Sequence, residues 1–139
     1  MARILARAAA MQLVYERLEG GEAEETLTDL IGFNQDAAGG ESAFNEDSAF
    51  IRTLVDGVKE HEAELDGLIT RYLRDWTIDR IARVDLSILR IAFYSLLYER
   101  ETAPAIIIKE AVDMATRYST DKSGAFVNGV LSAYMKDAG

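Results

Sequence analysis

The 139-residue chain has no cysteine, one proline and one histidine. Without thiols there is no disulfide, no thiolate metal site and no cysteine nucleophile, a pattern ordinary for a reducing compartment. The one histidine, His61, stands in the run HEAEL and lacks the second histidine that a zinc-binding His-Glu-x-x-His helix presents on the same face. No metal is expected. Also missing are a GxxxxGK phosphate loop, a GxGxxG turn, a GxSxG elbow and an Asp-rich calcium loop, so neither an enzyme active site nor a cofactor is expected. No segment approaches the roughly 18 consecutive apolar residues of a membrane span. The opening MARILAR is charged and amphipathic rather than signal-like, which points to a cytoplasmic protein.

Basic side chains are absent from residues 18–47, which hold nine acids. That segment accounts for the whole formal charge of −9, because the remaining 109 residues balance 15 acids against 15 bases. The acidic total therefore excludes a uniformly basic surface but leaves room for a local basic face toward a polyanion. What the chain does have is 49% hydrophobic residues and 9% aromatics, enough for a folded core and unlike a disordered or collagen-like chain.

The apolar residues recur at helical spacing almost throughout. Met11, Val14, Tyr15 and Leu18 form one stripe, closed by the Gly20-Gly21 pair. A short helix is expected over 23–31, and the Gly-, Asn- and Asp-rich stretch 32–45 reads as a mobile loop. Ile51, Leu54, Val55 and Val58 form the next stripe, followed by Leu65, Leu68, Ile69 and Tyr72 on one long helix or a kinked pair. Between Val84 and Tyr98 apolar residues fall on nearly every side, as in a helix packed all round. Pro104 suits the first turn of a helix with the stripe Ile108, Ala111, Val112 and Ala115. Thr120 is a candidate N-cap for a last helix that points Val127, Val130, Leu131 and Tyr134 inward. No alternating strand run is present. The fold class is thus all-α, with about seven helices in one domain of two packed sub-bundles, about 1–76 and 77–139, meeting near residues 76–79.

Three runs in the second half, RIAFYSLLY (90–98), PAIIIKEAVDMA (104–115) and SGAFVNGVL (123–131), resemble the NusB family of bacterial antitermination factors. ARAAAMQLVY (6–15), VDGV (55–58) and LDGL (65–68) match the family's opening and middle in the same order. The resemblance implies a helical, non-enzymatic protein that binds single-stranded boxA RNA of nascent ribosomal RNA transcripts. It implies that this is done together with NusE, a small-subunit ribosomal protein, for loading onto RNA polymerase.

Arg3 and Arg7 lie one helical turn apart and match an arginine-rich RNA contact in the family, although Ile4 and Leu5 thin that arm. The alternative for Arg7 is a surface arginine with its stem along the core edge. Phe126 falls about 90° from the centre of the last helix's apolar stripe, with Lys122 one turn before it. An aromatic beside a cation at a helix start suits an unstacked base and its phosphate, which makes Lys122, Ser123 and Phe126 RNA candidates. Tyr72 and Arg74 extend that surface, whereas Asn128 and Gly129 read as structural, a satisfied amide and a helix-packing glycine. By resemblance, Tyr15 and Asp85 face NusE, the alternative for Asp85 being an internal ion pair with Arg83 or Arg90. The rival reading is a protein-interaction module of the same fold that has lost RNA binding.

Overall fold

A computed structural model describes the backbone of residues 3–18, 40–74 and 76–138, with side chains from 6, from 48 and from 76 onward in those three stretches. It contains α1 (Arg3–Leu18), α2 (Gly40–Glu60), α3 (Glu62–Tyr72), a 3-10 turn (Ile78–Arg80), α4 (Arg83–Tyr98), α5 (Pro104–Tyr118) and α6 (Asp121–Ala138). The described residues thus hold six α-helices rather than about seven. The helix expected over 23–31 lies outside them, as do residues 32–39 of the expected loop. Residues 40–45, assigned to that loop, instead begin α2. Gly40 is the first residue of the helix rather than a break in it, and in the sequence Phe44, seven residues before Ile51, already carries the apolar period.

α4 is the shared post of the fold. Its run from Asp85 to Phe93 is buried without interruption, and α1, α2, α3, α5 and α6 all pack on it. The buried apolar side chains form one cluster running from Ala6 on α1 to Leu131 on α6. The expected division into two bundles therefore does not extend to the core: a helix apolar on all sides serves both halves at once. Between α3 and α4, Ile78–Arg80 forms the 3-10 turn. No helix among the described residues is long and apolar enough to cross a membrane.

Local features follow from sequence. α2 and α3 are a kinked pair, interrupted at His61 (φ −109°, ψ 17°), whose ring stacks on Tyr98 at 4.5 Å between centroids. At Gly57 the Tyr94 ring lies against the α2 backbone, and at Gly124 the Thr116 hydroxyl lies against α6; a Cβ at either place would overlap its neighbour. Pro104 opens α5 as expected, but its most buried residues are Ile107, Ala111, Met114 and Ala115, so Ile108 and Val112 sit at the margin of the stripe. α6 buries Val127, Val130 and Leu131, and the Thr120 hydroxyl accepts the Ser123 amide at 3.1 Å, the bond of an N-cap.

Candidate nucleic-acid interface

The capped start of α6 is tied to α4 by hydroxyl groups. Ser123 Oγ donates to Asp85 Oδ2 at 3.0 Å and lies 2.9 Å from Ser119 Oγ and 3.2 Å from Thr120 Oγ1. These bonds fix the rotation of α6, so that Phe126, one turn on from Lys122, is half-buried and lines a cleft of about 230 Å³. Trp76, Arg80, Asp85, Lys122 and Ser123 line the same cleft. A second cleft of about 430 Å³ adjoins it, sharing Trp76 and Phe126 and bounded by Tyr72, Arg74, Gly129 and Lys136. An edge-to-face chain from Phe93 through Tyr134 (5.2 Å) to Tyr72 (5.7 Å) seats that end on the core, and Tyr72 Oη donates to Asp137 Oδ2 at 3.0 Å. Burial and that carboxylate raise the Tyr72 pKa.

Tyr72, Arg74, Lys122, Ser123 and Phe126 are therefore brought onto one surface. Ser123 is buried and acts there through Asp85. Arg74, Arg80, Lys122 and Lys136 are exposed and make no ion pair with a described residue. Trp76, 56% exposed, as well as Arg80 and Lys136 belong to this surface and were not singled out from sequence. A tryptophan in the polar stretch between two helices, two residues from an arginine, is the signal that marks it.

Of the two arginines of the arm, only Arg7 can be placed. The side chain of Arg3 lies outside the described residues. Arg7 is 1% exposed and turned inward. Its guanidinium donates to Glu99 at 2.6 and 2.7 Å, to Glu110 at 2.8 Å and to Ser95 Oγ at 2.7 Å, and lies 5.3 Å from the centre of the Phe50 ring. Burial opposes the charge, but the two glutamates outweigh it and raise the Arg7 pKa. Arg7 is neither a phosphate contact nor a surface stem; it joins α1 to the C-terminal end of α4 and to the middle of α5. The sequence carried that signal too, since Arg7 stands on the stripe continued by Met11, Val14 and Leu18.

The proposed partner pair is also redistributed. Tyr15 is half-buried against the core on α1 and lines neither cleft. Asp85 is 6% exposed, which removes it from an open partner face, and the alternative ion pair with Arg90 is absent because Arg90 forks onto Asp66 at 2.8 Å and reaches Glu62 at 3.0 Å. Asp85 Oδ1 has no hydrogen-bond partner among the described residues. Desolvation raises the Asp85 pKa, against the lowering effect of the Ser123 and Ser119 hydroxyls. A carboxylate with a raised native pKa binds its proton more readily when folded, so its contribution to stability declines as pH rises from the unfolded value through the native one. Asp85→Asn, which keeps an acceptor for Ser123, should raise stability at pH 7 on the order of 1 kcal/mol. The gain should vanish below about pH 4. Urea unfolding at both pH values checks this, and an unchanged midpoint at pH 7 would count against it.

These features define a class: an all-α protein with one helix, α6, presenting aromatic and cationic side chains at two adjoining clefts. The NusB family model matches residues 5–136, and the chain belongs to that family. It is 40% identical over 131 residues to the transcription antitermination protein NusB of Geobacter sulfurreducens, covering 94% of this chain and 91% of the relative. The Staphylococcus haemolyticus protein of the same name is 40% identical over 132 residues, covering 95% and 98%. Among solved structures, T. maritima NusB superposes with a TM-score of 0.82 at 31% identity, covering 98% of this chain and 92% of that one. A crystal structure of antitermination factors NusB and NusE in complex with double-stranded RNA superposes at 0.79 and 28% identity, covering 99% of each.

Proposed function

We propose that this chain is a non-enzymatic transcription antitermination factor that binds boxA-type single-stranded RNA of nascent ribosomal RNA transcripts. In this reading it acts in the cytoplasm with a NusE-type ribosomal protein, and the pair is loaded onto RNA polymerase. The observation that carries the reading is the meeting of Phe126 and Trp76 with Arg74, Arg80, Lys122 and Lys136 around two adjoining clefts. Exposed ring faces take unstacked bases, and cations at the rim take the phosphates between them. A single strand is favoured over a duplex because its bases are free to reach those rings. The NusB relative solved with NusE and RNA supports both partners. The NusE face includes Tyr15, with Asp85 reassigned to the RNA side. A basic ribosomal protein suits a chain whose net charge is −9.

The test is fluorescence anisotropy of a labelled boxA-type RNA against rising salt, with and without NusE. Three to four phosphate contacts give a log–log salt slope of about −2 to −3, at about −0.7 per contact for a single strand. Lys122→Gln should reduce the slope by about 0.7. The inward turn of Arg7 favours a second reading, a protein adaptor without RNA, in which NusE is still captured and no salt-dependent RNA binding is seen.

A further inference from the structure

Gly129 sits inside α6 on the wall of the second cleft, between Phe126 one turn before it and Ala133 one turn after. Glycine is the least favourable helix-interior residue other than proline, so a helix that carries one needs a reason. Close packing is the reason at Gly57 and Gly124, where a Cβ would overlap Tyr94 or Thr116. At Gly129 a Cβ would meet nothing within 4 Å, and the residue is exposed, so the expected helix-packing role does not apply. What the missing side chain does leave is an open cleft, lined by the rings of Tyr72, Trp76 and Phe126. Arg74 and Lys136 stand at its rim without an ion pair among the described residues.

We infer that Gly129 is a nucleotide-contact position, and that the cleft it keeps open seats the base next to the one held at Phe126. This rests on the RNA-binding reading and extends it from one base to a run of bases along α6. Phe126 and Gly129 are three residues apart, about 4.5 Å along the helix axis, comparable to the roughly 3.4 Å step between stacked bases. The aromatic lining of the cleft suits a base, and the cations Arg74 and Lys136 match the phosphates on either side of it. A second cleft continuous with the first through shared rings follows a strand that passes over Phe126.

Gly67 supplies the control. It too lies inside a helix, on α3, with nothing within 4 Å of a Cβ, but it lines neither cleft. Gly129→Leu, Gly129→Ala and Gly67→Leu are titrated against a labelled boxA-type single strand, with thermal unfolding of each variant. All three should fold with midpoints at or above wild type, because each gains helix propensity. Gly129→Leu should bind RNA about tenfold more weakly, the loss of one base seat, with Gly129→Ala intermediate and Gly67→Leu unchanged. Wild-type affinity in folded Gly129→Leu would overturn the assignment, as would equal losses at Gly129 and Gly67. Loss of NusE capture with RNA affinity retained would reassign the cleft to a protein partner. A wild-type chain that binds no RNA removes the reading and this inference with it.

Discussion

Arg7→Met should destabilise the fold by about 3 kcal/mol or more, the cost of removing one partner from a buried charge network. Arg7 bridges Glu99 and Glu110, and both carboxylates are mostly shielded from solvent. Deleting it leaves two acids facing one another beneath α1, together with a Ser95 hydroxyl that has lost its donor. Methionine preserves the aliphatic stem, so the loss is one of charge pairing rather than volume. Adding Glu99→Gln and Glu110→Gln should recover part of the stability, since neutral amides remove the repulsion. RNA affinity of Arg7→Met, measured where the variant is still folded, should equal wild type. Unchanged stability with weakened RNA binding would return Arg7 to the nucleic-acid surface.

Phe126→Ala should weaken binding of a boxA-type single strand by about 1 to 3 kcal/mol, or roughly 5- to 150-fold. Phe126 is half-buried and packs on the core as well as lining both clefts, so truncation removes packing along with a stacking face. Phe126→Leu separates the two effects: it retains apolar contact and loses the π-face, and should keep the unfolding midpoint while losing most of the same affinity. Anisotropy titration and thermal unfolding of both variants check this. Wild-type affinity in Phe126→Leu would mean that the ring is a packing residue only.

The sequence made the helices legible because their burial is periodic, and periodicity needs no knowledge of neighbours. Thr120 as a cap, Pro104 as a first-turn residue and the all-round apolar α4 all follow from local chemistry. The start of α2 was obscured because a glycine pair outweighed the apolar spacing that Phe44 begins. Charged residues were harder to place, because their position depends on partners distant in sequence. Arg7 meets acids 92 and 103 residues away, and Asp85 meets a serine 38 residues away. A rule that sends an isolated charge to the surface fails at both. Trp76 and Arg80 escaped notice because nothing in the stretch around them is periodic; only packing sets them beside Phe126.

The account's central claim is that α6 and the stretch carrying Trp76 form the RNA surface. The most direct test is titration of the isotope-labelled protein with a boxA-type single strand, followed by backbone and indole chemical shifts. The account predicts that the largest changes fall on residues 122–136 of α6, on Tyr72 and Arg74 and on the Trp76 indole, with Arg7 and its glutamates unmoved. Shifts concentrated on α1 and the start of α5, with α6 silent, would contradict it.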